Sequence, residues 1–175
     1  MVSKEACMKA PFRFHFKLAD ASQKQMIQAW IAQEHVHEWL HGKGLRNTLE
    51  DLEKFFQGSS WAKHWIAYDG QTPFAYLLTS EKGKDAITLD LFICDLNYLG
   101  RGLGVQLIQE FVLSQFSNKK EVLIDPEATN TRAIHVYTKA GFETTGEFIA
   151  SWHPVPHLQM RLKTEVLLKK NEGLR

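Results

Sequence analysis

The chain has 175 residues, of which 44% are hydrophobic and 23% are charged, and its formal net charge at pH 7 is +1. This length predicts a single domain over residues 1–175 with flexible ends at 1–10 and 165–175, and the balanced charge argues against a nucleic-acid partner. The polar first residues lack a signal-peptide core and no apolar run approaches about 18 residues, so we expect a cytoplasmic protein without a membrane partner.

The first part of the chain predicts a strand followed by helices. Apolar and polar residues alternate over residues 12–18, which is typical of a strand with one buried face. Asp20 is suited to cap the first helix, Gly42 and Gly44 to end the second, and Thr48 to begin the third. These helical segments are predicted at 20–31, 36–40 and 49–56.

The remainder of the chain predicts six more strands and two more helices. Asp69 and Gly70 form a turn between two apolar runs, as in a β-hairpin, and Gly141 is suited to end the last helix. The strands are predicted at 64–68, 74–79, 85–94, 121–124, 143–151 and 158–163. Helices are predicted at 103–116 and from a cap at Thr129 or Asn130 to Gly141. The fold class is α/β, and the order is written βααβββαβαββ.

Residues 99–105 contain three glycines that alternate with larger residues, between an apolar run and an amphipathic one. A strand, a glycine-rich turn and a helix in this order can point several backbone N–H groups at one anion, such as a pyrophosphate. Val105 and Gln106 follow Gly104, so the turn is neither a Walker loop nor a dinucleotide fingerprint. A glycine-rich connection without a ligand is the alternative interpretation.

Residues 130–142 carry a second motif, N-x-x-A-x-x-x-Y-x-K-x-G-F, on a predicted amphipathic helix. Together with the glycine turn, this motif resembles the GCN5-related N-acetyltransferase (GNAT) superfamily. The glycine motif of that superfamily is met at Gly102 and Gly104, whereas Leu99 stands where Gln or Arg is usual. The resemblance implies a mixed central sheet in which two parallel strands splay apart, so that acetyl-CoA enters the gap.

The resemblance also implies which residues bind acetyl-CoA. A backbone N–H group near Phe92 and Ile93 would donate to the oxyanion, and Arg101 would contact the phosphates in place of a polar residue at position 99. Cys94 ends an apolar strand, which by itself is typical of a buried thiol. The expected cofactor-binding residues are Phe92, Ile93, Cys94, Arg101, Gly102, Leu103, Gly104, Val105, Asn130, Ala133, Tyr137 and Lys139.

Asp90 and Tyr137 are the candidates for proton transfer. Asp90 lies on the polar side of an apolar strand, where a carboxylate is suited to bind a cationic amine and to accept its proton. The superfamily often uses the tyrosine found here at position 137 as the acid that protonates the leaving thiolate, and core packing is the alternative for Tyr137. Asp125 ends the neighbouring strand, where it would either face the same cleft or cap the following turn.

Residues 30–41 resemble the W-x-x-x-x-H-V-x-E-W segment of aminoglycoside 6'-N-acetyltransferases, in which a helical hairpin lines the acceptor cleft. Core packing is an equal alternative for Trp30 and Trp39, and the loop that begins at Trp152 departs from that pattern. His37 and His41 have the spacing of two metal ligands, but no third ligand stands nearby, so no metal site is predicted, and a histidine that lines the pocket or supports its walls is the favoured interpretation. The expected substrate-binding residues are Trp30, His35, Glu38, Trp39, Asp90 and Asp125.

The sequence therefore predicts an acetyl-CoA-dependent N-acetyltransferase, monomeric or homodimeric, that acts on a small cationic amine. The 6'-amine of an aminoglycoside is the leading acceptor. Two alternatives stay open. One is an acetyltransferase for another amine, namely a siderophore precursor, a polyamine, an amino-sugar or a protein N-terminus. The other is a coenzyme A-binding module without catalytic activity.

Overall fold

The computed structural model describes residues 12–173, which form a seven-stranded mixed sheet with helices on both faces. The strands are β1 (Phe14–Leu18), β2 (Ala62–Asp69), β3 (Thr72–Lys82), β4 (Ala86–Ile93), β5 (Glu121–Ile124), β6 (Glu143–Ile149) and β7 (Pro156–Lys163). The helices are α1 (Lys24–Ile31), α2 (Glu34–His37), α3 (Gly42–Phe56), α4 (Gly104–Gln115), α5 (Thr131–Ala140) and α6 (Thr164–Glu172). The strand order is β1-β2-β3-β4-β5-β7-β6.

Helices α4, α5 and α6 cover one face of the sheet. Leu107 and Phe111 of α4 and Leu167 of α6 are buried there together with Leu77 and Leu89 of the central strands. Burying such side chains contributes about 1.5–3 kcal/mol each, so this cluster is a main source of stability. Its packing fixes the position of the α4 N-terminus relative to the end of β4.

Helices α1, α2 and α3 cover the opposite face. Ile27, Val36 and Leu52, one from each helix, are buried against Ile66 and Tyr76 of the hairpin strands. Successive side chains of a strand point to opposite faces, which explains why Tyr76 belongs to this cluster and its neighbour in sequence to the other. The central strands are therefore buried on both sides.

The parallel strands β4 and β5 separate partway along β4. Their pairing covers Ala86 to Thr88 of β4 and Glu121 to Leu123 of β5, yet β4 continues to Ile93. A gap consequently opens in the sheet beside the second half of β4. This arrangement confirms the prediction of a mixed sheet with splayed parallel strands.

The prediction for the helices before β2 is partly wrong. The first helix begins as expected, because the Asp20 carboxylate accepts a hydrogen bond from the Ser22 N–H in a short 3-10 turn before α1. The three predicted helical segments correspond to three helices before β2, whereas the written order counts two, and α3 begins at Gly42 instead of after the two glycines. Glycine costs a helix about 1 kcal/mol, and Leu45, packed against the α1–α3 cluster, helps to offset that cost.

The prediction of a flexible end at 165–175 is wrong for Glu165–Glu172, which belong to α6. Leu167 is 2% exposed, and Glu165 and Lys169 stand in the first and last turns, where their charges suit the helix dipole. Burial of one apolar face therefore orders a segment whose charges suggest a free tail. The predicted flexible end at 1–10 and residues 174–175 lie outside the described residues.

The other elements confirm the predicted placement, with ends that differ by a few residues. Within residues 12–173, no helix combines the length and the apolar character needed to cross a membrane.

Candidate active site

A cleft with a volume of about 350 Å³ opens at the place where β4 and β5 separate. Its walls come from the second half of β4, the segment after β5, the start of α3, helix α5 and the loop between β6 and β7. The cleft thus lies at the carboxyl ends of the two parallel strands, where ligands of open α/β sheets commonly bind. Of the predicted site residues it brings together Trp39, Asp90, Phe92, Asp125, Asn130 and Tyr137.

Asp90 lies on the wall of the cleft, as the alternation along β4 predicts. Ile87 and Leu89 on the other face of the strand are buried in the core, whereas water reaches Asp90 through the open cleft. The cleft walls nevertheless bury the carboxyl partly and so remove it from much of the surrounding water, which raises its pKa to about 7. The charge of Asp125 adds to this shift. A carboxyl with such a pKa can both release and accept a proton near neutral pH.

Tyr137 and Asp125 face the same cleft as Asp90. Burial raises the pKa of the Tyr137 phenol well above its usual range, and the charges of both aspartates add to that shift, so the phenol keeps its proton. Burial also raises the pKa of Asp125, although His157 and Lys82 oppose the effect. Its place in the lining agrees with the cleft alternative for Asp125. Helix α5 is capped by Asn130, whose side chain accepts a hydrogen bond from the Ala133 N–H.

The cleft is acidic. Its lining includes the carboxylates of Asp90, Asp125 and Glu127, and among the described residues that line it there is no Lys or Arg. Walls of low dielectric around a group of like charges focus their field on the space between them. The arrangement favours a ligand with one or more positive charges.

The aromatic residues predicted to bind the acceptor have different positions. Trp39 lines the cleft and faces the loop that carries Trp152, which also lines it. Trp30 packs against the core formed with α1, α2 and α3, so the packing alternative describes this residue. Glu38 is exposed on the hairpin and does not line the cleft within the described part of the chain.

His35 holds the end of β4 in place instead of lining the cleft. Its Nε2 atom lies 3.0 Å from the carbonyl oxygen of Ile93, and the Gln33 side chain donates a hydrogen bond of 2.9 Å to the carbonyl of Cys94. These two contacts attach the junction between α1 and α2 to the last residues before the glycine turn. The expected acceptor contact of His35 is thus replaced by a contact that positions β4.

The backbone polar groups of Cys94 are already hydrogen-bonded within the protein, and its side chain is buried. Its N–H donates to the carbonyl of Phe74, its carbonyl accepts from Gln33, and its side chain is 1% exposed. Burial raises the pKa of the thiol to about 12, so the sulfur stays protonated. The prediction of a buried thiol is confirmed, and Cys94 is a poor candidate for a cofactor-binding residue.

Ile93 is a better candidate for the oxyanion donor. Residues that bond to the partner strand alternate with residues that do not, and Cys94 bonds to β3 through its N–H. The N–H of the preceding residue, Ile93, therefore points away from β3, toward the gap beside β4. Phe92 contributes its ring to the cleft wall.

The glycines of the turn before α4 serve two different structural purposes. Gly100 and Gly102 adopt positive φ angles of 74° and 70°, which side chains disfavour. A Cβ atom at Gly102 would meet nothing within 4 Å, so its outer surface is open to a ligand. A Cβ atom at Gly104 would lie 2.9 Å from Val136, so Gly104 lets α4 approach α5.

The residues present fit the diphosphate of a coenzyme A ester. The first N–H groups of α4 have no partner within the helix, and the exposed Arg101 and Gly102 stand directly before them. Sequence reasoning missed Arg132 of α5, whose guanidinium lies beside Gly100: a Cβ atom there would be 4.0 Å from its Nη2. His41 lines the cleft, as expected of a pocket-lining histidine. Sequence reasoning did not assign Glu127, Trp152 and His153 to the cleft, because their neighbours come from distant parts of the chain.

Comparison with known proteins agrees with this geometry. The family model of the GNAT acetyltransferase domain matches residues 20–150. An aminoglycoside N(6')-acetyltransferase type 1 of Klebsiella pneumoniae is 28% identical over 139 residues, which cover 69% of this chain and 69% of that protein.

Solved structures show the same similarity. The crystal structure of an aminoglycoside N(6')-acetyltransferase from Legionella pneumophila is 58% identical, with a TM-score of 0.89 over 92% of this chain and 98% of that chain. AAC(6')-Ib in complex with coenzyme A and kanamycin has a TM-score of 0.75 at 22% identity over 89% of this chain and 98% of its own, which shows a shared fold. With the glycine turn, the splayed strands and the matching family model, the chain belongs to the GNAT acetyltransferase family.

Proposed function

We propose that this N-acetyltransferase transfers an acetyl group from acetyl-CoA to the 6'-amine of an aminoglycoside. The observation that carries the proposal is the acidic cleft beside Tyr137, in which Asp90 and Asp125 face the same space. Aminoglycosides carry several ammonium groups on a rigid ring framework, so three carboxylates without a compensating Lys or Arg among the described lining residues suit such an acceptor. The relatives from Klebsiella pneumoniae and Legionella pneumophila, both named aminoglycoside N(6')-acetyltransferases, support the same acceptor class.

Asp90 acts on the acceptor amine. A free alkylamine has a pKa close to that of Lys, about 10.4, so almost all of it is protonated at neutral pH. The Asp90 carboxylate stabilises the bound ammonium and then accepts a proton from its nitrogen, which leaves the amine able to attack. Because burial and Asp125 raise the pKa of Asp90 to about 7, the carboxylate is a stronger base than a surface aspartate.

Two further groups of the chain assist the transfer. Acetyl-CoA supplies an activated acetyl thioester when it is bound. The Ile93 N–H, directed toward the gap beside β4, is placed to donate a hydrogen bond to a developing oxyanion. The Tyr137 hydroxyl keeps its proton at neutral pH and is thereby able to give it to the departing sulfur.

The test is an assay of thiol release from acetyl-CoA with a panel of amines. Kanamycin and tobramycin should release coenzyme A, and NMR of the product should place the acetyl group on the 6' nitrogen. An aminoglycoside with a hydroxyl at the 6' position is the matched control and should release little. Release with spermidine or a peptide N-terminus, and with none of the aminoglycosides, would replace the proposed acceptor by that alternative.

A further inference from the structure

Three metal-ligating side chains meet on the wall of the acceptor cleft. Among the residues the structure describes, His41, Glu127 and His153 form the one group of this kind, with their donor atoms all within 4.8 Å of one another. The Glu127 Oε1 atom lies 3.8 Å from the His41 Nε2 atom and 3.5 Å from the His153 Nε2 atom. Both distances are longer than those of charge-assisted hydrogen bonds, about 2.7–2.9 Å, so Glu127 is not in close contact with either imidazole. The space between the three donor atoms is therefore available to an ion.

Backbone contacts hold these side chains near one another. Glu127 forms an isolated β-bridge with His157, and the Ala128 N–H donates a 2.9 Å hydrogen bond to the Pro156 carbonyl. The Val155 N–H donates to the His153 carbonyl, which closes the loop that carries the second histidine. The segment after β5 and the loop before β7 are therefore tied together, and part of the ordering cost of a site is met before an ion binds.

His41 completes the group from the other side of the cleft. It precedes the first residue of α3, and its ring packs against the His153 ring at a centroid distance of 4.6 Å and an interplanar angle of 86°. The side chains of His41 and His153 are 30% and 33% exposed, so an ion from solution can reach them.

The two separations from the Glu127 carboxylate are close to those that zinc requires, and the donor atoms of His41 and His153 lie within 4.8 Å of each other. Zinc–nitrogen and zinc–oxygen bonds of about 2.0–2.2 Å in a tetrahedral arrangement place neighbouring donor atoms roughly 3.3–3.6 Å apart. The observed 3.5 Å fits this range, and the observed 3.8 Å needs a shift of a few tenths of an ångström. Two imidazoles and one carboxylate also form the ligand set of catalytic zinc sites that keep one position open.

We propose that His41, Glu127 and His153 bind a zinc-class divalent ion at the wall of the acceptor cleft, with the fourth position open to water. The prediction that the chain has no metal site weighed ligands that are neighbours in the sequence, whereas this group joins three separate segments. A bound divalent ion places two positive charges near Asp125. The cationic acceptor would otherwise bind beside this carboxylate. Zinc therefore inhibits acetyl transfer in competition with the acceptor, a consequence that rests on the proposed function.

Binding is tested by calorimetric titration of zinc chloride into protein treated with EDTA, and by the visible spectrum of added Co²⁺. We expect one equivalent to bind, with Co²⁺ absorption typical of tetrahedral coordination. His153→Ala and Glu127→Gln should each weaken zinc binding tenfold or more. His15→Ala removes an exposed histidine at the far edge of the sheet and controls for nonspecific uptake. Zinc binding that is absent from the folded wild type, or equal in all variants, would overturn the site.

A separate measurement tests the consequence for activity. Zinc should raise the acceptor KM and leave the KM for acetyl-CoA unchanged, and His153→Ala should be resistant. If no aminoglycoside is acetylated, the proposed function fails while the calorimetric result still decides the metal site. Zinc that binds the three residues but lowers kcat without changing the acceptor KM would refute the competitive effect alone.

Discussion

At the scale of single residues, Asp90 shows how function and stability oppose one another. Its carboxyl is held between protein walls and faces Asp125, and both neighbours make the ionised form less favourable than in water. The same surroundings give it the proton affinity that a base for an alkylamine needs. We therefore expect the active form of the enzyme to contain the less stable form of this carboxyl.

Replacement of Asp90 tests its role as the base. Asp90→Asn keeps the shape and removes the charge, so it should raise the acceptor KM and lower kcat/KM by roughly 10²-fold or more, with little change in the affinity for acetyl-CoA. In the wild type, kcat/KM should rise with pH through about 7, as the Asp90 carboxyl loses its proton. Steady-state kinetics over a pH series measures both effects. An Asn variant with wild-type kcat/KM would assign the proton transfer to another group.

Tyr137 should act mainly on turnover. Tyr137→Phe removes the hydroxyl and keeps the ring that packs near Phe142, so the fold should be retained. We expect kcat to fall by about 10²-fold, near the lower end for general acids because water can replace part of the function. Calorimetry should give an unchanged Kd for acetyl-CoA. An unchanged kcat, with chemistry shown to limit the rate, would leave Tyr137 with a packing role.

Residue positions could be predicted where they follow from one strand or one helix. The period of two along β4 placed Asp90 opposite Ile87 and Leu89, and the structure confirms that placement. His35 was misplaced because its motif says nothing about its partner, the Ile93 carbonyl. The group of His41, Glu127 and His153 could not be predicted, since only the folded sheet brings these three segments together.

At the scale of elements, the glycine turn before α4 combines a ligand surface with helix packing. The sequence pattern predicted both the turn and the helix that follows, but it could not separate the roles of Gly102 and Gly104. That distinction depends on Val136 of α5, which lies against Gly104. Similarly, α6 was missed because its order comes from burial of Leu167 rather than from local propensity.

The two roles can be separated with a matched pair of variants. Gly102 and Gly58 have φ angles of 70° and 76°, and a Cβ atom at either would meet nothing within 4 Å. Gly102→Ala and Gly58→Ala should therefore lose similar stability through backbone strain. Only Gly102→Ala should weaken acetyl-CoA binding, by roughly fivefold or more, or about 1 kcal/mol. Equal calorimetric affinities in the two variants would remove the turn from the cofactor site.

At the scale of the whole molecule, two titratable groups on the same face of the sheet respond to pH in opposite ways: Asp90 of β4 and His64 of β2, which both lie opposite Leu78 of β3. The folded state raises the pKa of Asp90 from 3.8 to about 7, so it binds more protons than the unfolded state between these values. The stability contributed by protonated Asp90 is present below 3.8 and is lost as the pH rises through 7. The removal of Asp90 should therefore stabilise the protein at pH 8 and have little effect near pH 4.

His64, buried under α3, has the opposite sign. Burial lowers its pKa from 6.5, against the opposing effect of Asp51, whose carboxylate lies 2.7 Å from the Nε2 atom. The folded state favours neutral His64, so the stability it contributes is present above pH 6.5 and is lost as the pH falls through the lower folded pKa. In wild type these two trends partly cancel as the pH falls below 6.5, where His64 begins to lose stability while Asp90 still gains it.

Thermal unfolding of wild type and variants over a pH series tests these two opposing contributions to stability. In wild type, protonation of Asp90 adds stability as the pH decreases and offsets the loss caused by His64. Asp90→Asn removes this gain, so Tm should fall more steeply than in wild type as the pH decreases from about 7 to 5. His64→Gln keeps a hydrogen-bonding side chain beside Asp51 and Tyr76 but does not titrate. The stability that neutral His64 contributes above pH 6.5 is then absent, so Tm should be lower at pH 8. The decrease of Tm between about pH 7 and pH 5 should also be smaller than in wild type. In the double variant the gain in Tm from Asp90→Asn and the loss from His64→Gln should add at pH 8, and the profile should be the flatter one, because Leu78 of β3 separates the two side chains on the sheet. The same slope in all four proteins would show that neither group controls the pH dependence of stability.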